Sequence, residues 1–144
     1  MAALEDKKLF LLDMDGTIYL DQTLFPGTEP FLNAVRARGG RYLFLTNNSS
    51  KSVDAYIAKL SGMGVPAARE AFLTSVDALI ADLNKRPAFR KCYAFGTQTF
   101  RRQLEEAGIP VTDHLEDGVD CLIAAFDTEL TFQKLEDACI LLNK

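Results

Sequence analysis

The chain has 144 residues, 48% of them hydrophobic and 25% charged, with a net charge of −4. That balance belongs to an ordinary globular domain, or to two small ones. The acidic excess argues against nucleic acid as a main partner, and no apolar run approaches the roughly 20 residues of a membrane span.

The N-terminus, Met1 to Lys8, is charged and lacks the apolar core of a signal peptide. Leu9-Phe10-Leu11-Leu12 then forms a short continuous apolar run, read as a strand buried on both faces of a parallel sheet. It ends in Asp13-Met14-Asp15-Gly16-Thr17. From Ile18 to Phe25 the pattern alternates in part, which predicts a hairpin-like flap over the end of that strand. Phe31, Leu32 and Val35 predict a helix from Thr28, as N-cap, to Arg38, stopped by Gly39-Gly40. Arg41 to Thr46 is a second buried strand, running into the polar cluster Thr46-Asn47-Asn48-Ser49-Ser50-Lys51. Val53, Tyr56, Ile57 and Leu60 mark the next helix. A short strand at Ala71–Ser75 precedes a helix at Val76–Lys85, with Leu79, Ile80 and Leu83 inward. Strands alternating with helices imply a right-handed parallel sheet.

Pro87, with Lys85, Arg86, Arg90 and Lys91 around it, is the expected boundary, giving domains 1–86 and 87–144. Beyond it the alternation restarts with a strand at Lys91–Gly96 and a helix at Thr97–Ala107. A short edge strand near Val111 and a buried strand at Asp120–Phe126 follow. The last helix opens at Thr131 as N-cap, with Phe132, Leu135, Ala138, Cys139 and Leu142 on one face. It stops at Lys144 without Gly, Pro or a polar tail, so an incomplete chain is expected. Cys92, Cys121 and Cys139 form no C-x-x-C pair, and His114 is the single histidine. The cysteines are expected to be buried small hydrophobes in a reducing compartment. A soluble, cytoplasmic α/β protein is the expectation.

In parallel sheets reactive groups sit beyond the carboxyl ends of strands. Asp13 and Asp15 are two acids at such an end, and a hard divalent cation is their natural partner. A plain Asp-Gly turn is the bland alternative. The Asp13 carboxylate can attack a phosphorus atom to give an aspartyl-phosphate, and Asp15 can deliver and retrieve a proton. Magnesium would be held by the Asp13 carboxylate and the main-chain carbonyl of Asp15. Gly16 allows the sharp turn, and free amides around it can cradle phosphate oxygens. Thr46 and Asn47, ending the second strand, are neutral donors suited to phosphate. The cluster they open also reads as a helix cap.

Asp13-Met14-Asp15-Gly16-Thr17 resembles the first motif of the haloacid dehalogenase superfamily, and Leu45-Thr46-Asn47-Asn48-Ser49 resembles its second. With Ile18-Tyr19, Pro26-Gly27 and the run through Ser52, the chain resembles subfamily IIA, the branch of para-nitrophenyl phosphatases and sugar-phosphate or nucleotide phosphatases. Only 28 residues separate Thr17 from Thr46, so a cap domain would follow the second motif. The segment from Gly118 to Phe132 resembles part of such a cap.

The resemblance implies a partial Rossmann-like parallel-sheet core with a partial α/β cap. It implies a magnesium-dependent phosphatase acting on small phosphomonoesters of sugar phosphate, phosphoglycolate or nucleotide type. In it Asp13 is nucleophile, Asp15 general acid/base, and Gly16, Thr46 and Asn47 phosphate ligands. The expected partner is a small phosphorylated metabolite, without nucleic acid or membrane; oligomeric state is open, a homo-oligomer included. The family's later lysine and acidic pair have no match: Lys134, Lys144, Asp117 and Asp120 read as solvated surface. A non-catalytic binding module is therefore the alternative, and an aspartate-phosphorylated receiver domain a poorer third. His114 reads as a loop residue, and Arg101 and Arg102 as outward-facing.

Overall fold

The computed structural model describes residues 4–85 and 89–144. Pro87 and Arg86, on which the expected boundary rests, lie outside them. The chain divides into two compact units, one of Met1–Asn47 with Val53–Thr74, the other of Asn48–Ser52 with Ser75–Lys144.

In the first unit, β1 (Leu9–Asp13), β4 (Arg41–Thr46) and β5 (Phe72–Thr74) form a parallel sheet in the order β1-β4-β5. The predicted flap is a hairpin of β2 (Tyr19–Leu20) and β3 (Thr23–Leu24), paired antiparallel. Helices α1 (Thr28–Ala37) and α2 (Val53–Gly62) complete the unit. Tyr42, Phe44 and Thr46 alternate with half-buried Leu43 and Leu45, so one face of β4 carries the core. Leu32, Val35, Tyr56 and Leu60 meet it from the two helices.

Two expectations change here. β1 is not buried on both faces: Leu9 is 54% and Leu11 59% exposed, while Phe10 packs edge-on against Phe31 at 5.4 Å. As an end strand with one covered face, β1 can bury only every second residue. Thr28 is not the cap of α1; Gly27 is, and the buried Thr28 hydroxyl donates to the Ile18 carbonyl at 2.6 Å. That bond ties the first turn of α1 to the flap. Helix α3 (Ser75–Leu83) contributes Val76 and Leu83 to the core of the second unit, which takes up the chain again at Ser75.

The second unit centres on β6 (Cys92–Phe95), flanked in parallel by β7 (Val111–Thr112) and β8 (Cys121–Ala124). Thr97 caps α4 (Gln98–Glu106) by accepting from Phe100 N, and Thr131 caps α5 (Phe132–Leu142) by accepting from Lys134 N. A Cβ on Gly96 would stand 2.7 Å from the Phe100 ring, so the strand-to-helix turn requires glycine for close packing.

Burial in this unit also departs from the periodicity. β8 is only half-buried. Cys92 is buried, but Cys121 is intermediate and Cys139 exposed. On α5, Phe132 and Leu142 are 80% and 75% exposed, whereas Asp137 and Ala138 are buried. The helix is oriented by polar anchors rather than by its apolar stripe: Tyr93 Oη donates to Asp137 Oδ2 at 3.2 Å, and Lys134 reaches Asp127 at 2.8 Å. Lys134 is accordingly not solvated surface. Nor is Arg101 free and outward, since it pairs with Asp113 at 2.8 Å. His114 is exposed, as expected.

Candidate active site

The parallel pairing of β1 and β4 sets Asp13 opposite Leu45, so Thr46 extends one residue past it at the same carboxyl edge. Met14 is fully buried between Asp13 and Asp15, which are both exposed. The methionine side chain pins the loop to the core, and the acids on either side of it are left facing solvent. The sequence showed the acids but not this anchor.

Gly16 has φ +81°, a conformation that a side chain disfavours, and it turns the chain back toward the hairpin. Its amide donates to the Tyr19 carbonyl at 2.8 Å, and those of Thr17 and Ile18 donate to the Met14 carbonyl at 3.1 and 3.0 Å. These three amides therefore hold the loop's own shape.

The two carboxylates have unlike partners. Asp13 Oδ2 accepts a long hydrogen bond from the Thr17 hydroxyl, 3.4 Å, which is neutral. Asp15 Oδ1 lies 3.4 Å from Lys59 Nζ, which also stands 3.8 Å from the centroid of the Tyr19 ring. Lys59 comes from the second turn of α2, the helix that follows the second motif. Side chains on a helix lean toward its N-terminus, which directs Lys59 back to the strand edge. Its position three residues after buried Tyr56 was the available signal.

Tyr19 is fully buried and its hydroxyl makes no hydrogen bond of good geometry. Burial, and next the negative charge of Asp15, raise its pKa above the ordinary value. Tyr56 is also raised by burial, against the opposing effect of its hydrogen bond with Thr46; the Asp15 charge raises it further. Thr46 is buried at 7% exposure and Asn47 is exposed. The rest of the polar cluster belongs to the second unit. There Asn48 Oδ1 accepts from Ser50 N at 3.0 Å and Ser50 Oγ at 2.7 Å, and Ser49 Oγ accepts from Phe126 N at 2.9 Å.

Among the described residues no three or more His, Cys, Asp or Glu side chains gather as a metal cage. Magnesium does not require one. It binds through one or two carboxylates while keeping several waters and taking substrate oxygens. The carboxylate of exposed Asp13 fits that mode, and the main-chain carbonyl of Asp15 is the oxygen that would join it.

The chain matches the model of the haloacid dehalogenase-like hydrolases over residues 10–110. It is 28% identical over 133 residues to the acid sugar phosphatase of Staphylococcus aureus, covering 92% of this chain and 51% of that one. Its structure is similar to that of 4-nitrophenylphosphatase from Thermotoga maritima, with TM-score 0.88 and 37% identity, over 96% of this chain and 52% of that one. The fold also matches glycerol phosphate phosphatase from Mycobacterium tuberculosis in complex with magnesium, with TM-score 0.84 and 24% identity, over 96% and 42% of the two chains. The chain thus spans about half the length of the curated relatives it matches. No helix among the described residues is long and apolar enough to cross a membrane.

Proposed function

The chain belongs to the haloacid dehalogenase-like hydrolase family, and from that premise we propose that it carries the nucleophilic half of a cytoplasmic, magnesium-dependent phosphatase of small phosphomonoesters. The supporting observation is the pair Asp13 and Asp15 astride buried Met14, at the strand edge that Thr46 shares. An Asp13 oxygen attacks phosphorus while the bond to the leaving oxygen breaks, and Asp15 protonates that oxygen. Water then attacks the aspartyl-phosphate, Asp15 takes its proton, and inorganic phosphate leaves. Thr46 and Asn47 orient the phosphoryl oxygens as neutral donors. Magnesium, held by the Asp13 carboxylate and the Asp15 carbonyl, would supply charge neutralisation.

The substrate class is a sugar phosphate or similar small ester, which the names of the acid sugar phosphatase and 4-nitrophenylphosphatase relatives support. The segment after the second motif would begin a cap covering such a substrate. Hydrolysis of 4-nitrophenyl phosphate with magnesium is the test. Asp13→Asn is expected to lower turnover by at least about 1,000-fold, as loss of the nucleophile demands. Unchanged turnover removes Asp13 from that role. A second reading is a non-catalytic module, motivated by the family's later lysine and acidic pair, which have no match in this sequence. It predicts weak magnesium binding without turnover.

A further inference from the structure

A lysine with 15% of its side chain exposed is unusual on a protein surface, and Lys59 is one. Its stem runs along α2, its ammonium lies 3.8 Å from the Tyr19 ring centroid, and its carboxylate partner is Asp15 at 3.4 Å. The Asp15 side chain is 57% exposed and could otherwise sample several rotamers. The ring is fully buried, so the ammonium lies against a packed surface and that carboxylate is held against the ammonium. Among the described residues Asp13 has only the neutral Thr17 hydroxyl. The arrangement therefore leaves the expected nucleophile weakly held and restrains the expected proton carrier by a charge-assisted contact.

We propose that Lys59 is a positioning residue that holds the Asp15 carboxylate where it meets the leaving-group oxygen. This rests on the phosphatase reading above. An aryl phosphate such as 4-nitrophenyl phosphate expels a stable phenolate and needs little protonation. An alkyl ester such as glycerol phosphate expels an alkoxide and depends on it. In the first step, which kcat/KM reports, misplacing Asp15 must therefore harm the alkyl ester selectively, whereas general damage to the fold harms both alike.

The experiment compares Lys59→Met and Lys59→Arg with the unaltered chain on both esters. Lys59→Met is expected to lower kcat/KM for glycerol phosphate by about 10- to 100-fold, less than the full contribution of general acid catalysis because Asp15 itself remains. For 4-nitrophenyl phosphate it should change kcat/KM by less than about threefold, and Lys59→Arg should largely rescue the glycerol phosphate loss. Equal losses of kcat/KM on the two esters, or no rescue by arginine, overturn the proposal. If the unaltered chain shows no Asp13-dependent turnover of either ester, the phosphatase reading fails first. The contact is then read by NMR from the Lys59 side-chain resonances, which the Tyr19 ring current displaces. Asp15→Asn is expected to move them and lower the barrier to their averaging; unmoved resonances overturn the positioning role.

Discussion

Asp127 has 3% of its side chain exposed, and the ammonium that neutralises it belongs to Lys134, 2.8 Å away. The same ammonium donates to the carbonyls of Gly96 at 2.9 Å and Glu129 at 3.1 Å. Such a group is fully used, and removing it strands a buried carboxylate. Lys134→Met is expected to destabilise the chain by about 3–5 kcal/mol, read by urea unfolding, and Lys134→Met with Asp127→Asn by much less. Nothing in the sequence marks Lys134 out from a solvated lysine, because its partner is seven residues upstream and its acceptors are main-chain atoms. Lys59 was hidden in the same way: its acid is 44 positions away in sequence. The candidate pair Asp13 and Asp15 stood out because both acids lie within one local motif.

At the level of elements, patterns that depend on immediate neighbours were read well. The hairpin, the cap at Thr131, and the alternation of β and α segments all follow from residues close in sequence. Burial of whole faces was not read, because an apolar period says which side of an element is sticky and not whether anything lies on it. The connections around β6 also carry an acid-sensitive group. Asp113 is lowered below the usual carboxylate range: its largest single influence, burial, pushes upward, but the His114 hydrogen bond and Arg101 charge outweigh it. Glu116 is lowered by the Thr112 hydrogen bond and then by Lys91, and Asp120 chiefly by the Arg90 main-chain amide. Lowered folded-state values mean that the unfolded chain binds more protons in acid. The stability these groups contribute is whole above their ordinary values of 3.8 and 4.5 and is lost as pH falls through the folded ones. The thermal midpoint is expected to decline between about pH 5 and about pH 3, less steeply in Asp120→Asn. A flat profile there would contradict the assignment.

On the scale of the molecule, Leu9, Leu11 and Leu73 are 54%, 59% and 46% exposed on one face of the first sheet. The second unit separately exposes Phe126, Leu130 and Phe132 at 59%, 51% and 80%. Apolar surface gathered in this way binds hydrophobic dyes and promotes association. The chain is expected to enhance the fluorescence of anilinonaphthalene sulfonate in its folded state, and Leu11→Lys to reduce that signal without lowering the thermal midpoint. An unchanged signal would locate the dye elsewhere. The five residues Asn48–Ser52, which sequence reading placed in the second motif and the run that follows it, are stitched into the second unit by Ser49 to Phe126 N and by the Ser50 carbonyl, which accepts from Thr97 Oγ1 at 3.2 Å. Considered as an exchangeable cassette, that unit comes in two pieces of very unequal size. A chimera transplanting 75–144 alone would inherit a recipient's pentapeptide at the position where Thr97 and Phe126 expect their own. The side chain at 49 and the main-chain course at 50, rather than a single crossover point, thus decide which recipients accept the graft.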